Sequence, residues 1–401
     1  MMVSSDREMR ATIVERIADL RALRDEWEDL WSRCQSNRTP FLHFDWVRLW
    51  SEHYGLDGRL RVLVVRSACR AVGIVPLVLR AYRVGPCSMN VVETLAGQSR
   101  NLIGLVDPAF TKETAEAVAE FFKASIVEKG TAIYCSLVMI ETGFPAALVT
   151  ALSAAQSVGF LRIDEVSRAP YVPLPISWHD YWHAMSRRRR KVLRRASLAL
   201  EARHAVAHKE CDIDEIPDAM DSLYALHQHR WRQAGIRGLF ADSRARSFHT
   251  AIAVAHASTR LIRVSALRID DRVASVHIIG VLDGVAYLLR SGRDTQFSRL
   301  SIGHMHEVYM LRSAIGEGLR EVDFLRGAEP YKFYWTQRYR TYSDLLIGAR
   351  YRGRPMPVRL QWLFLRAARF LEHGHSPGEL IAIVKLKRRE ARERRKMGVD
   401  G

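Results

Sequence analysis

Residues 287–335 read YLLRSGRDTQFSRLSIGHMHEVYMLRSAIGEGLREVDFLRGAEPYKFYW, and this stretch decides the fold of the second half of the chain. An apolar strand-like run leads through a small-residue loop into a helix, and a further strand and an aromatic loop follow. The first backbone N–H groups of such a helix lack intrahelical partners and can bind an anion such as a pyrophosphate. We expect Ser301, Ile302, Gly303 and His304 to form this cradle, although a Ser-x-Gly start is also typical of an ordinary helix N-cap.

Outward from this stretch, the two halves of the chain show the same order of elements. In the second half the pattern predicts strands at 261–269, 272–282 and 285–291, a helix at 301–319 and a strand at 321–325. In the first half it predicts a hairpin at 60–65 and 71–79, a helix at 112–128, a strand at 131–138, a helix at 144–157 and a strand at 160–165. This alternation predicts an α/β (α+β) fold of two tandem lobes, each a mixed twisted sheet flanked by helices.

The length of 401 residues exceeds what a single hydrophobic core normally supports, so two domains are expected. The stretch APYVPLPIS at 169–177 contains three prolines, which disfavour helix and predict an extended connector. We therefore predict a first lobe at 1–167, a second lobe at 168–351 that carries the active site, and a basic amphipathic helical tail at 352–401.

The composition excludes several classes of protein. With 48% hydrophobic and 26% charged residues the chain is an ordinary globular protein, and no run of about 18 uncharged apolar residues predicts a membrane span. The N-terminus lacks the apolar region of a secretory signal, so we expect a cytoplasmic protein. The five cysteines lie far apart, and the chain has no GxSxG, Walker or HExxH motif, so no metal site is expected.

The net charge of +17 is concentrated in two segments. Residues 187–204 hold eight Lys or Arg against one Glu, and residues 352–396 hold thirteen against four. Such segments predict basic faces that meet phosphates, anionic lipid or nucleic acid, or else helix faces that are simply solvated.

The first basic segment belongs to a predicted amphipathic helix at 177–200. Projected at 100° per residue, most of its cations fall opposite an apolar side, but Arg189 falls on that apolar side. A buried guanidinium needs an anionic partner, and an internal carboxylate is favoured over a ligand phosphate for this role.

Five segments together resemble a known family: PFLHFDWVRLW, YVPLPISWHDYWHAMSRRRRKVLRR, LHQHRWRQAGIRGLFAD, SGRDTQFSRLSIG and DFLRGAEPYKFYW, within residues 40–345. They resemble the CelD/BcsL-like acetyltransferases, a branch of the GNAT superfamily with the double-lobed architecture of the FemAB aminoacyltransferases. The resemblance implies transfer of an acyl group from acyl-CoA, acetyl-CoA above all, to an amine or hydroxyl of a saccharide or amino sugar in exopolysaccharide, cellulose or envelope synthesis.

The resemblance also assigns residues. Ser301 and Gly303 match the acyl-CoA loop, and the residues that match the terminal motif are Asp323, Arg326, Gly327, Glu329, Tyr331 and Lys332. The loop departs from the usual Gln/Arg-x-x-Gly-x-Gly/Ala pattern, because Ser298 and Ser301 stand at its first and fourth positions.

The expected chemistry needs a polarised thioester carbonyl, a base for the acceptor and an acid for the leaving thiolate. Strand 285–291 would supply backbone donors, and Tyr331 or Tyr334 would be the acid. The candidate bases are Glu329, Asp242 and His227, and Lys332 and Asp323 complete the predicted catalytic set. Arg326, Asp242 and Arg189 are the predicted substrate-binding residues.

Three alternatives remain open from the sequence. The donor could be an aminoacyl-tRNA, as in the FemAB proteins, with the basic helix holding the RNA. The chain could instead be a non-catalytic accessory of a polysaccharide synthase. The apolar side of 358–371 could lie on the anionic inner membrane, with the basic run at 385–396 adding attraction, or it could pack onto the second lobe.

Overall fold

The computed structural model describes residues 9–35, 38–95, 102–129, 131–154, 161–348, 350–351, 354–355, 358–372 and 377–396. Two compact units divide the chain. The first comprises Met1–Arg168 and Thr341–Gly374, and the second comprises Ala169–Arg340 and His375–Gly401. The predicted boundaries differ from these units after residue 340. Residues 341–351, predicted in the second lobe, belong to the first unit, and the predicted tail at 352–401 is divided between the two units.

The strands are β1 (Met9–Val14), β2 (Val62–Ser67), β3 (Arg70–Val75), β4 (Leu77–Val84), β5 (Cys87–Thr94), β6 (Leu105–Val106), β7 (Ala132–Val138), β8 (Leu161–Pro173), β9 (Val206–Glu210), β10 (Ile262–Ile269), β11 (Arg272–Leu282), β12 (Val285–Arg293), β13 (Glu321–Asp323), β14 (Tyr339–Ile347), β15 (Arg350–Tyr351) and β16 (Arg354–Pro355). The helices are α1 (Ile17–Ala22), α2 (Arg24–Arg33), α3 (Phe44–His53), α4 (Thr111–Lys129), α5 (Gly143–Ala154), α6 (Trp178–Ala184), α7 (Arg187–Glu201), α8 (Ile216–Gln233), α9 (Ser243–Ala255), α10 (Ile302–Gly316), α11 (Pro330–Phe333), α12 (Val358–Glu372) and α13 (Pro377–Lys396). The predicted mixed α/β fold is confirmed.

The first unit holds two groups of strands. One has the order β1-β2-β3-β6, and in the other β4 pairs with β5, β5 runs parallel to β7, and β7 pairs with β14. Apolar residues of α4 and α5, including Phe122 and Leu148, pack on the second group to form its core. On another core cluster of this unit, α12 buries Leu365 and Ala368 beside Tyr82. The sequence-based alternative that this helix packs onto the second lobe is therefore wrong.

The second unit is built on a sheet of order β8-β13-β12-β11-β10-β9, to which β8 contributes its last residues. Neighbouring strands are antiparallel except β12 and β13, which are parallel and joined by the crossover helix α10. Apolar residues of α6, α7 and α10 pack on this sheet, as the buried Leu193, Met305 and Leu311 illustrate.

Two other local predictions are corrected by the structure. The proline-rich stretch is extended as predicted, but its first part belongs to a sheet, because β8 continues to Pro173 and pairs with β13. The helix predicted at 177–200 is two helices, since Met185 is extended and the hydroxyl of Ser186 accepts a hydrogen bond from the N–H of Arg189 to start α7. Among the described residues, no helix is both long and apolar enough to cross a membrane.

Candidate active site

An opening between two parallel strands lies at the centre of the second unit. β12 and β13 pair over only three residues, from Val285 opposite Glu321 to Tyr287 opposite Asp323. β13 then ends, whereas β12 continues to Arg293. The register with β11 also shifts within β12, so that Leu289 has no direct opposite residue. Beyond Tyr287, no described strand pairs with β12 along the edge that faced β13, and backbone groups on such an edge can bind a ligand.

The helix α10 begins beside the end of β12. Ser301 precedes it with φ of 54°, a left-handed conformation that favours glycine, and its side chain makes no capping hydrogen bond. A Cβ atom added to Gly303 would lie 2.6 Å from Nη1 of Arg293, so the arginine side chain runs across the first turn of the helix. The first turn holds no acidic residue. The predicted cradle residues Ser301, Ile302, Gly303 and His304 therefore adjoin a guanidinium, although Ile302 itself is buried.

Aromatic rings surround His304. Its ring stacks on Tyr334 with centroids 4.4 Å apart, and its Nδ1 lies 2.9 Å from the carboxylate of Glu307. The indole N–H of Trp335 donates to the same carboxylate over 2.9 Å. The guanidinium of Arg189 lies 5.4 Å from the Tyr334 ring centroid. Among the described residues no carboxylate bonds Arg189, so its predicted internal carboxylate partner stays a prediction, and the contact that the structure shows is the cation–π contact with Tyr334.

The loop between β13 and α11 is stabilised by hydrogen bonds from the side chain of Lys332. Leu325 has φ of 58° and Gly327 has φ of 107°. The buried Lys332 donates to the carbonyls of Leu325 and Arg326 over 3.3 and 2.6 Å, and its Nζ lies 2.9 Å from Oε2 of Glu329. A side chain at Gly327 would collide with the Glu329 carboxylate. Lys332 therefore fixes the loop conformation that presents Glu329.

Asp323 anchors the start of this loop. It is fully buried, accepts from the N–H of Leu325 over 2.8 Å, and lies 3.3 Å from Nη1 of Arg340. Arg340 also pairs with Glu321 at 2.7 Å. These contacts hold Asp323 in place at the point where the loop leaves β13.

Tyr331 lies among the charged groups of this site. Burial raises the pKa of Tyr331 well above its ordinary value, and the negative charges of Glu329 and Glu307 raise it further. Burial would raise the pKa of Glu329 too, but attraction and a hydrogen bond from Lys332 outweigh it, so the net pKa is lowered. At neutral pH the Tyr331 phenol is thus protonated and the Glu329 carboxylate ionised, which are the states in which a tyrosine can donate a proton and a carboxylate can accept one.

Residues 187–333 match the sequence model of a family described as an acetyltransferase (GNAT) domain. This segment is a GNAT acyltransferase domain. It contains α7 to α10, β9 to β13 and the loop that carries Glu329 and Tyr331, which are the elements that build the opening.

Solved structures share the fold over most of the chain. A FemX structure superposes with a TM-score of 0.54 at 11% identity, covering 84% of this chain and 96% of that one. A conserved protein of unknown function from Bacteroides thetaiotaomicron VPI-5482 gives a TM-score of 0.54 at 10% identity, covering 85% of this chain and 100% of that one. No curated protein matches the sequence significantly. At such identities these likenesses show the fold alone.

Three other predicted residues have described contacts with groups other than Glu329 and Tyr331. Asp242 caps α9 by accepting from the N–H of Arg244 and pairs with that arginine, which chiefly accounts for its lowered pKa. His227 accepts from the indole N–H of Trp231 over 2.9 Å, and burial lowers its pKa to about 3, so it is neutral. Arg326 is exposed, and its backbone carbonyl accepts a hydrogen bond from Lys332.

Sequence reasoning missed three charged residues that face the site. Arg230 of α8 and Arg293 both exert an electrostatic effect on Tyr331. Glu390 of α13 is half-buried, and its pKa is raised by burial and then by the charge of Glu329. The helix α13 is fixed to this unit at both ends, because Glu379 accepts from the N–H of Arg237 over 2.6 Å and Arg394 donates to the carbonyl of Ala328 over 3.0 Å. Of the three missed residues, only Arg293 has a signal in the sequence, because it lies close to the end of a predicted strand. Arg230 and Glu390 reach the site only through tertiary contacts.

Proposed function

We propose that the GNAT domain transfers an acyl group, acetyl in the simplest case, from acyl-CoA to an amine or hydroxyl of a saccharide or amino sugar used in exopolysaccharide or envelope synthesis. The observation that carries the proposal is the early separation of β12 from β13 beside the start of α10, whose first turn holds no acidic residue. A thioester arm laid in that opening would meet backbone groups of β12, and its phosphates would meet the helix start.

The reaction forms a C–N or C–O bond and breaks the C–S bond of the thioester. Backbone N–H groups of β12 beyond Tyr287 would stabilise the negative charge that develops on the carbonyl oxygen. Tyr331 would give its proton to the leaving thiolate, and Glu329 would accept the proton of the acceptor, directly or through water. Lys332 and Asp323 act as positioning residues, because their contacts fix the loop on which Glu329 and Tyr331 stand.

The donor is tested by thermal shift with acetyl-CoA and longer acyl-CoAs, and turnover by thiol release against a panel of amino sugars. We expect stabilisation by at least one acyl-CoA and thiol release that depends on an acceptor. Absence of any stabilisation at saturating concentrations would exclude acyl-CoA as the donor.

One observation favours an aminoacyl-tRNA as an alternative donor. The exposed face of α7 carries Arg187, Arg188, Lys191, Arg194 and Arg195. Among the described residues, none of these side chains forms an ion pair, so the face could neutralise several phosphates. An RNA donor predicts binding that weakens steeply as salt rises, and no tRNA shift at low salt would remove this alternative.

Contact with an anionic membrane is a further part of the proposal. Leu360 and Leu363 of α12 are each 56% exposed, although the same helix buries Leu365 and Ala368. Exposed leucines beside arginines can enter a lipid interface. Replacing Leu360 and Leu363 by Ser should reduce co-sedimentation with phosphatidylglycerol vesicles at low salt, and equal sedimentation of both proteins would contradict the contact.

A further inference from the structure

In the described part of the second unit, two half-buried arginines lack a polar partner for their side chains. Arg230 lies near the end of α8, and Arg293 is the last residue of β12. Among the residues that the structure describes, neither guanidinium donates a hydrogen bond or forms an ion pair. The one contact of Arg230 with a ring, that of Trp231, is long at 5.8 Å. Desolvating a guanidinium without a partner is costly, so a pair of such residues requires an explanation.

Close packing of α8 on β12 brings the two arginines together. A Cβ atom added to Gly292 would lie 2.9 Å from Leu223 and 3.3 Å from Leu226, so helix and strand are in direct contact there. Arg293 is the next residue along the strand, and Arg230 is one helical turn beyond Leu226, on the same side of the helix. The side chain of Arg293 continues across Gly303 at the start of α10.

The two positive charges also act on each other. Burial lowers the pKa of Arg293, and the charge of Arg230 lowers it further. Of the nearby carboxylates, Glu329 lies 2.9 Å from Lys332 and Glu307 accepts from Trp335. Glu390 acts on Arg230 through its charge, but among the described residues it forms no ion pair with either arginine. The two guanidinium groups therefore repel each other, and they lie beside a helix start that is also electropositive.

We propose that Arg230 and Arg293 together bind a phosphate or diphosphate group beside Tyr331. The inference rests on the proposed function, since the same site would then hold a phosphorylated substrate during acyl transfer. A guanidinium presents a planar fork of N–H donors that matches phosphate oxygens, and two forks can hold one diphosphate. The group could belong to the acyl donor or to a phosphorylated acceptor such as a sugar phosphate.

Binding of inorganic pyrophosphate tests the site without requiring turnover. Arg230→Gln and Arg293→Gln should each weaken its affinity, measured by isothermal titration calorimetry, by about 10-fold or more. Arg232→Gln is the matched control, because Arg232 is an exposed arginine of the same helix and should bind as the wild type does. Circular dichroism would verify folding of each variant. Failure of the wild type to bind pyrophosphate, or unchanged affinity in Arg230→Gln, would overturn the proposal.

Steady-state kinetics then distinguishes the two sources of the phosphate. If it belongs to the donor, both variants raise KM for acetyl-CoA but leave KM for acetyl-pantetheine, which lacks the diphosphate, unchanged. If it belongs to the acceptor, KM rises for a phosphorylated acceptor with either donor. Arg293→Lys should recover less than the full affinity, because an ammonium restores the charge but not the fork. If the wild type binds pyrophosphate but releases no thiol with any acceptor, the proposed function is contradicted and the anion site is still supported.

Discussion

The two units contain the same strand–helix–strand arrangement with different chemistry. In the first, β5 and β7 pair in parallel over three residues and are connected through α4; in the second, β12 and β13 do so through α10. The first turn of α4 holds Glu113, whose negative charge already occupies the positive end of the helix. The first turn of α10 holds Gly303 instead, with Arg293 lying across it. The start of α4 thus already holds a negative charge and the start of α10 does not, in line with the proposal that only the second binds an anion.

The buried ionisable side chains repeat this contrast. In the described part of the first unit, Glu93 is the one buried acidic, basic or imidazole side chain, and it is satisfied by Tyr82 and Arg80. Those of the second unit are His249, His256, His277, His306, Glu307, Asp323 and Lys332. Burial lowers the pKa of His249, His277 and His306, so these rings are neutral, and the acidic and basic members of the set are Glu307, Asp323 and Lys332. Burial of charge costs stability, so the presence of these three in one unit is consistent with a functional site there.

Gly303→Asp should have the largest effect of the changes that test this comparison. The new carboxylate would meet Arg293 and stand where phosphates should bind, so acetyl-CoA affinity should fall by about 100-fold or more. Lys112→Asp places a carboxylate in the first turn of α4 and should leave affinity unchanged. Calorimetric titration measures both, and equal losses would contradict the division of roles.

Tyr331→Phe should lower kcat by about 100-fold, because the thiolate would leave without its proton donor. Donor affinity should change little, since the hydroxyl acts in the transition state. Tyr334→Phe serves as the comparison. Normal turnover in Tyr331→Phe would transfer the role to Tyr334 or to solvent.

Lys332→Met should lower the free energy of unfolding by about 2–3 kcal/mol, because two loop carbonyls and the Glu329 carboxylate lose their donor. The matching change in the first unit is Lys123→Met, which removes a surface pair with Glu120 and should cost less than about 0.5 kcal/mol. Urea denaturation would measure both. Similar losses at the two sites would show that Lys332 does not hold the loop.

Glu390→Gln should have the smallest effect, and its sign depends on pH. Because the folded pKa of Glu390 is raised above its ordinary 4.5, ionisation costs stability above the folded pKa and costs nothing below the ordinary one. The variant should therefore melt roughly 1–2 °C higher at pH 7 and at the same temperature as the wild type at pH 4. A variant that is less stable at pH 7 would mean that attraction to Arg230 and Arg394 dominates.

Local pattern predicted the elements of the GNAT domain well where periodicity is strong. The strand predicted at 272–282 agrees with β11, and that at 261–269 nearly agrees with β10. The short strand β9 was missed, because its sequence VAHKE lacks an apolar pattern. It forms a strand only through its pairing with β10. The break between α6 and α7 was missed as well, although Ser186 provides the N-cap signal.

By itself, the sequence determined the two-lobed α/β fold, the glycine start of α10 and the motif that contains Glu329 and Tyr331, because these depend on periodicity and on residues close in the chain. Only the tertiary structure decided which charges share the site. Arg230, Arg293 and Glu390 come from a helix, a strand and a second helix far apart in sequence, and nothing local distinguishes Glu390 within its basic run. Their roles depend on burial and on neighbouring charges, which exist only once the chain has folded.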